Sequence, residues 1–346
     1  MKVAIVLGTR PEILKFYSVI KELEKQQIEH KVYFTNQHFS YEMGKRFFEE
    51  LELKVSDKFK GTFDVPKVTS WLVKKFKETS PDVVLVQGDT NSTLAGALAG
   101  LLTNTKVGHI EAGLRSYKMS DPFPEESNRC AVDEISTFLF CPTHNNFENI
   151  KHLMKYPDKG GYVVGNTIID LVKTLVKRNA VKKKQVLITL HRRENWERID
   201  EICKGIVEFV KLKPDYEFIY VKHANKKLVK KILEHFKSAG VTVINPQPYK
   251  KFLKLMRDSS LIISDSGGVV EEASYLLTPV AVVRDETERQ EACEAHCAKL
   301  VGTDSTLYLK INQLLKDYQT YSGKSPFGDG LAAKKIINRL KKEIKK

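Results

Sequence analysis

Two rhythms alternate along this chain. Short continuous apolar runs give way to longer stretches in which apolar residues return every three or four positions. The first rhythm predicts buried strands and the second predicts amphipathic helices. In the first half the strand-like runs are Val3–Leu7, His30–Thr35, Val83–Val86, Lys106–Ile110, Phe138–Cys141 and Tyr162–Val164. Pro11 fits the first position of a helix whose buried face carries Ile13, Phe16, Tyr17, Ile20 and Leu23. Ser40 is placed to cap a helix with Met43, Phe47, Phe48 and Leu51, and Val65–Glu78 is helical around Val68, Leu72, Val73 and Phe76. Gly88-Asp89-Thr90-Asn91-Ser92 turns into a helix marked by Leu94, Leu98 and Leu101. Further helices are expected after Pro122-Phe123-Pro124 and from Asn145 and Thr167.

Val181-Lys182-Lys183-Lys184 reads as a seam, after which the alternation restarts. It runs through Gln185–Leu190, Ile199–Val210, Phe218–Val221, Lys226–Phe236 and Val241–Ile244. It continues with Lys250–Met256, Leu261–Ser264, Val269–Leu277 and Val280–Val283. Helix following strand throughout predicts an α/β domain around a mainly parallel sheet in each half. The expected domains are residues 1–180 and 181–330, with a last helix, 331–346, returning to the first half.

Loops that follow strands carry the unusual polar residues, and open α/β sheets bind ligands at those strand ends. Arg10 follows the first strand, Asp89 the run Val83–Val86, and Glu111 the run Lys106–Ile110, with Glu125 a short loop further on. In the second half His191-Arg192-Arg193-Glu194-Asn195 follows Gln185–Leu190. The sharpest of these places is Leu261-Ile262-Ile263-Ser264-Asp265-Ser266-Gly267-Gly268. There a strand meets a glycine-rich turn and a helix start, which offers backbone N–H groups to a phosphate. Glu271 and Glu272, one turn on, suit hydrogen bonds from sugar hydroxyls better than an anion. Taken singly, each residue is more readily a solvated loop or cap; their convergence on strand ends argues for a site.

Asp89, Glu111 and Glu125 lack a histidine at metal-ligand spacing, so acid–base work fits them better than a metal. Glu125 and Arg129 stand four apart on one helix, so Arg129 can pair with that carboxylate or with substrate. Arg10, Lys15, Arg115, Arg192 and Arg289 supply cations for a diphosphate. No Walker lysine motif, GxSxG elbow or full dinucleotide fingerprint is present, so neither NAD nor a covalent serine is called for. No cofactor is expected.

Composition narrows the class. A chain of 346 residues with 42% apolar residues is folded and large enough for two cores. No run approaches the ~20 apolar residues of a membrane span, and Met1 leads straight into a strand without a signal-peptide pattern. Five scattered cysteines point to reduced thiols in a cytosol, and Cys293, His296 and Cys297 lack the second ligand pair a metal site needs. The net charge of +14 is spread over clusters such as Lys182–Lys184, Lys226-Lys227 and Lys230-Lys231, which read as solvated faces. No RRM or KH signature accompanies it, so anionic nucleotide substrates account for it better than nucleic acid.

Several ordered motifs together resemble one family, the non-hydrolysing UDP-N-acetylglucosamine 2-epimerases. They are Gly8-Thr9-Arg10-Pro11-Glu12, Gly88-Asp89-Thr90 and Gly108-His109-Ile110-Glu111-Ala112-Gly113-Leu114-Arg115. Pro122-Phe123-Pro124-Glu125-Glu126-Ser127-Asn128-Arg129, Gly165-Asn166-Thr167 and His191-Arg192-Arg193-Glu194-Asn195 follow. Asp265-Ser266-Gly267-Gly268 with Glu271-Glu272-Ala273, and Arg284-Asp285-Glu286-Thr287-Glu288-Arg289, complete the set. The resemblance implies two Rossmann-like domains in a GT-B arrangement, with the active site in the interdomain cleft, and usually a homodimer. It also implies elimination of UDP from C1 as the C2 proton leaves, then re-addition to the 2-acetamidoglucal so formed. By resemblance Asp89, Glu111 and Glu125 are the acid–base carboxylates, with His191 assisting near the diphosphate. Arg10, Lys15, Arg129, Ser266, Gly267, Gly268, Glu272 and Arg289 would bind the UDP-sugar.

The chain departs from the family pattern in places. Gln37-His38-Phe39-Ser40 lacks the arginine that helps bacterial members hold a second, activating substrate molecule. Lys222-His223-Ala224-Asn225-Lys226 lacks flanking prolines, and Gln290 stands where a proline usually follows Arg289. The segments before Val65 and after Asn195 are shortened. The rival readings are a 2-epimerase of a deoxy or uronic UDP-N-acetylhexosamine, a GT-B glycosyltransferase, and a non-enzymatic nucleotide-sugar or nucleic-acid binder.

Overall fold

The computed structural model describes residues 1–37, 45–119, 123–223, 225–317 and 323–344. The expected Ser40 cap, the His38–Ser40 departure, Pro122, and Ala224 of the Lys222–Lys226 motif lie outside them. The chain forms two compact units, one of Met1–Leu171 with Gly328–Lys346 and one of Val172–Phe327. Each holds a wholly parallel sheet, as the strand–helix alternation predicts.

The first sheet consists of β1 (Lys2–Leu7), β2 (Glu29–Phe34), β3 (Asp57–Lys58), β4 (Val83–Gln87), β5 (Lys106–Ile110), β6 (Phe138–Cys141) and β7 (Gly160–Val163). Its order is β3-β2-β1-β4-β5-β6-β7. The chain therefore winds outward in opposite directions from β1 and β4, and the crevice between their C-terminal ends is the sheet's switch point. In register, Val3 pairs with Val83 and Ile5 with Leu85. Helices α1 (Arg10–Lys25), α2 (Lys45–Glu50), α3 (Val65–Thr79), α4 (Asn91–Leu102), α5 (Glu125–Ile135) and α6 (His144–Ile150) connect these strands. The expected apolar faces of α1 and α3 are buried, among them Ile13, Phe16, Ile20 and Leu23 on α1 and Val68, Leu72 and Phe76 on α3. Each such side chain contributes about 1.5–3 kcal/mol on burial. The expected face of α4 is corrected: Leu94 and Leu98 are only half-buried and Leu101 is exposed, because α4 packs on the sheet through its small residues Ala95, Gly96, Ala99 and Gly100.

Helix α7 (Thr167–Leu175) leads into the second sheet. This comprises β8 (Lys183–Thr189), β9 (Glu217–Val221), β10 (Thr242–Ile244), β11 (Ser259–Ser264), β12 (Val280–Val282) and β13 (Ala298–Leu300). The order β10-β9-β8-β11-β12-β13 puts a second switch point between β8 and β11. Helices α8 (Ile199–Leu212), α9 (Lys226–Phe236), α10 (Tyr249–Asp258), α11 (Gly267–Tyr275), α12 (Gln290–Glu294) and α13 (Leu307–Asp317) surround it. The core gathers Val186, Ile188, Phe209, Tyr220, Phe236, Leu261 and Ile263. On α9 the lysines stay solvated while Leu228, Val229, Ile232 and Phe236 are buried, as their spacing predicts.

Helix α14 (Ala332–Ile344) belongs to the first unit. Its first-turn N–H groups at Ala332 and Ala333 donate to Asp170 (3.1 and 2.9 Å), a carboxylate at a helix N-terminus. Gln26, which caps the end of α1, donates to Asn338 of α14 at 3.3 Å.

One expectation about lysine is corrected. Lys182 is no solvated side chain: its ammonium donates to the carbonyls of Arg257 (2.7 Å) and Leu276 (3.2 Å) and to Thr278 Oγ1 (2.5 Å). It thus caps the ends of α10 and α11, and burial pulls its pKa down to about 8.

Candidate active site

In the first unit the switch point is built around Glu12. Thr9 caps α1 and Glu12 closes a capping box with it, so the carboxylate turns back toward the end of β1. Its Oε2 accepts from the N–H groups of Gly8 (3.0 Å) and Thr9 (2.7 Å) and from Thr9 Oγ1 (2.7 Å). Its Oε1 accepts from Thr90 Oγ1 (2.8 Å) and Thr93 Oγ1 (3.1 Å) of the loop and helix after β4. One buried carboxylate thereby ties the two strand ends together. Burial raises its pKa against the pull of these hydrogen bonds.

Asp89 follows β4 and meets Arg129 of α5 at 2.6 Å. Arg129 also pairs with Glu126 at 2.7 Å, so the expected Glu125–Arg129 partnership is replaced by one with the neighbouring carboxylate. The cause is local: Glu126 also accepts the N–H groups of Ser116 (2.9 Å) and Tyr117 (3.3 Å), which draws it under that loop. Burial opposes its charge, yet the Ser116 N–H and Arg129 hold its pKa below the ordinary value. Asn128 secures the same turn by donating to the Asp89 carbonyl (2.9 Å) and to Asn91 Oδ1 (3.1 Å).

Glu111 follows β5 with φ +70°, a left-handed conformation that costs a non-glycine residue of order 1–3 kcal/mol. Hydrogen bonds from its own N–H (3.0 Å) and that of Ala112 (3.2 Å) to the Phe140 carbonyl hold it there. The strained turn aims the carboxylate back at the switch point, where Lys15 and Gln87 both donate to its Oε2. Glu125 opens α5, and its Oε2 is shielded from solvent with no hydrogen-bond partner among the described residues. Arg10 is exposed, with its guanidinium 5.6 Å from the Phe47 ring centre.

In the second unit the corresponding centre is Asp265, fully buried between β8 and β11. It accepts from the N–H groups of His191 (3.0 Å) and Arg192 (2.9 Å) and from Asn195 Nδ2 (3.1 Å). His191 Nδ1 lies 3.2 Å from the same carboxylate, and its ring stacks on His223 at 5.6 Å. Burial alone would raise the Asp265 pKa; the His191 and Arg192 bonds outweigh it and hold the group below its ordinary 3.8. Such a depressed carboxylate stabilises the fold above its unfolded pKa and loses that contribution as pH falls through its folded value. The contribution of Asp265 to thermal stability should therefore be full and independent of pH near neutrality, and should fall away below about pH 4. Asp265→Asn should flatten that acid limb; an unchanged slope would show that the His191 loop does not depend on the carboxylate's charge.

Helix α11 begins at Gly267, two residues earlier than its apolar pattern predicts. Ser266 is its extended N-cap, and neither glycine has a positive φ, so the expected sharp glycine turn is a helix start. What Gly267 supplies is space: a Cβ there would sit 2.3 Å from the Arg289 guanidinium. Arg289 Nε donates to Glu271 (2.7 Å) and its Nη1 to Glu288 (2.6 Å). Arg284 (2.6 Å) and Arg192 (3.3 Å) also reach Glu288. Burial disfavours the Glu288 charge, but these three arginines push its pKa far below the carboxylate range. Glu272, expected near sugar hydroxyls, accepts from Tyr249 Oη at 2.8 Å.

Of the expected diphosphate cations, Lys15, Arg115, Arg192 and Arg289 each face a carboxylate in this structure. The structure thus brings Asp89 to Arg129 and Glu111 to Lys15 in one unit. In the other it gathers His191, Ser266, Gly267 and Arg289 around β8 and β11. Sequence reasoning passed over Glu12, Gln87, Glu126, Asp265 and Glu288 as individual site residues. For Glu12 the Thr-x-x-Glu spacing was a readable sign; for the others only the fold shows the partner.

The described residues contain no helix long and apolar enough to cross a membrane. Residues 21–341 match the family model described as UDP-N-acetylglucosamine 2-epimerase. The chain is 36% identical to the UDP-N-acetylglucosamine 2-epimerase of Methanocaldococcus jannaschii, across 98% of this chain and 99% of that one. It is 37% identical to the Neisseria meningitidis serogroup A protein of that name, across 99% and 100%. The Neisseria meningitidis enzyme bound to UDP-GlcNAc superposes with a TM-score of 0.87 at 36% identity, covering 99% of this chain and 100% of that one. The Methanocaldococcus jannaschii enzyme in complex with UDP-GlcNAc and UDP gives 0.84 at 36% identity, covering 99% and 100%. With the family model spanning nearly all of the sequence and these relatives matching end to end, this chain belongs to the UDP-N-acetylglucosamine 2-epimerase family.

Proposed function

We propose that the protein interconverts UDP-N-acetylglucosamine and UDP-N-acetylmannosamine by elimination and re-addition of UDP. The carrying observation is the set of carboxylates at the first switch point. Asp89 and Glu111 end neighbouring strands, Glu125 opens α5, and Arg129, Lys15 and Gln87 orient the first two. Inversion at C2 passes through a planar carbon and needs proton transfer on both faces, which one carboxylate cannot serve.

In the forward direction a carboxylate removes the C2 proton. The C–H electron pair forms the C1–C2 double bond, and the C1–O bond breaks toward UDP. In the second step the diphosphate oxygen re-forms its bond to C1 while a proton is delivered to the opposite face of C2. Lys15, Arg10 and Arg129 carry the positive charge of the first unit toward the sugar nucleotide. In the second unit the opening N–H groups of α11, with Ser266, Gly267 and Gly268, receive the diphosphate. His191, its loop fixed by Asp265, assists the leaving group. Glu272 takes the ribose hydroxyls. Arg289 acts through its place beside Gly267, its charge already shared with Glu271 and Glu288. No disulfide joins the five cysteines, which fits a reducing cytoplasm, and the homodimer implied by the resemblance is tested by sedimentation.

The deciding experiment incubates the protein with UDP-N-acetylglucosamine alone in deuterated water and follows it by NMR. The expected product is UDP-N-acetylmannosamine bearing deuterium at C2. Product with C2 fully protonated would sink the elimination mechanism. A protein that makes no product without a sugar acceptor would be a transferase instead.

A further inference from the structure

We propose that His109 is a positioning residue, held as an imidazolium, whose two N–H bonds fix the Asp89 turn, the Glu111 strand end and α5 in mutual register. The proposal rests on the acid–base roles assigned above.

His109 lies on β5, two residues before Glu111, and is completely buried. Its Nε2 is 2.8 Å from the carbonyl oxygen of Gly88, the residue before Asp89. Its Nδ1 is 2.7 Å from Asp133 Oδ1, on the same helix as Glu125 and one turn beyond Arg129. A single ring thus touches all three elements that carry the carboxylates.

Both partners are acceptors. A backbone carbonyl has no proton to offer. Asp133 is fully buried, meets Arg115 at 2.7 Å and accepts the Gly113 N–H at 3.2 Å, an arrangement suited to a carboxylate anion. A ring that faces an acceptor through each nitrogen satisfies both only with a proton on each. A neutral ring would turn a lone pair toward Gly88 or Asp133 and release one of the three elements. The charge is balanced in place: Asp133, Glu126 and Cys130 face this cluster from α5, Arg115 from the loop after β5, Cys141 from β6, and Lys159 from the segment before β7. Burial would raise the Asp133 pKa, and His109 and Arg115 together reverse that and lower it.

An ordinary buried histidine would satisfy its nitrogens with whatever lies near. Here one bond ends on the residue next to Asp89 and the other on the helix that supplies Glu125 and Arg129. The Gly88 N–H also donates to the Ile110 carbonyl at 2.9 Å, so the β4 and β5 turns are tied on both sides of the ring. Loss of the ring should let the carboxylates drift relative to one another. A misplacement of about 1 Å at reacting groups can cost ~10² in rate.

Two measurements test this. The first is the nitrogen-15 spectrum of the imidazole in the wild-type protein at neutral pH, where both His109 nitrogens should carry protons. A bare ring nitrogen there overturns the proposal, and no variant needs to fold for this result. The second compares His109→Gln, His109→Ala and Asp133→Asn with wild type in UDP-N-acetylglucosamine turnover. Expected is a kcat loss of ~10–10² for His109→Ala, partial recovery in His109→Gln, and KM and UDP affinity within about threefold. Asp133→Asn should lose kcat likewise and leave the ring with one proton. A folded His109→Ala variant with wild-type kcat, or with its loss entirely in KM, overturns the positioning role. If the wild type places no deuterium at C2, the epimerase mechanism falls, and the nitrogen spectrum still decides the state of His109.

Discussion

Asp89→Asn, Glu111→Gln and Glu125→Gln should each lower epimerase turnover by ~10²–10⁴, about 3–5 kcal/mol of barrier, while UDP affinity stays within a few fold. Each change keeps the side-chain shape and removes its capacity to hold and release a proton. The structure separates the three in how plainly each result will read. Glu125 has a shielded oxygen with no partner among the described residues, so its amide disturbs little else and its loss reports chemistry. Asp89→Asn keeps an oxygen for Arg129 but removes the charge that faces it at 2.6 Å. Glu111→Gln is the most disruptive: Lys15 and Gln87 both donate to one oxygen of Glu111, and an amide turned the wrong way meets them with a donor. Some stability loss is expected there alongside the lost turnover, and thermal unfolding apportions the two. Calorimetry with UDP shows whether the second unit still binds. A variant that turns over within a few fold of wild type leaves the acid–base set.

How far the sequence could be read depended on what kind of fact was asked of it. Strand ends were legible, because a buried parallel strand is a continuous apolar run that stops where polar ligands begin. That places Asp89, Glu111, His191 and Ser266 just beyond strand ends without a partner being known. Pairings between adjacent carboxylates were not legible. Glu125 and Glu126 both stand at helical spacing from Arg129, about 100° apart around the axis, and only the Ser116–Tyr117 loop decides for Glu126. Glu271 and Glu272 divide in the same way, one to Arg289 and one to Tyr249. Lys182 looked like part of a solvated lysine run because sequence cannot show two helix ends converging on it. Helix α13 was legible but passed over: Leu307, Ile311 and Leu314 recur at helical spacing and are buried. Strand β3, only two residues long, offers no period to read.

Gly267→Ala should weaken UDP binding by ~10²-fold, whereas Gly268→Ala, one residue on, should leave the fold intact. The two glycines open the same helix and carry the same backbone freedom, so propensity treats them alike. Their surroundings do not. The added methyl at Gly267 would stand 2.3 Å from Arg289 Nη1 and 2.5 Å from its Cζ, closer than any real contact. At Gly268 it would meet nothing within 4 Å. Arg289 is held in place by its bonds to Glu271, which is buried, and Glu288, which is half-buried, so displacing its guanidinium strains both. Removing one partner from a buried charge pair typically costs ~2–5 kcal/mol, and about 2.8 kcal/mol corresponds to a hundredfold in affinity. The displaced carboxylates would lie beside the helix end proposed to receive the diphosphate, so the loss falls on anion binding as well as on stability. Alanine at Gly268 relieves chain entropy in the unfolded state and should raise the unfolding temperature slightly. Any fall in its UDP affinity then measures how closely the ligand approaches that N–H. Calorimetric titration of both variants with UDP decides the matter. Wild-type affinity in a folded Gly267→Ala protein would place the diphosphate elsewhere than the start of α11.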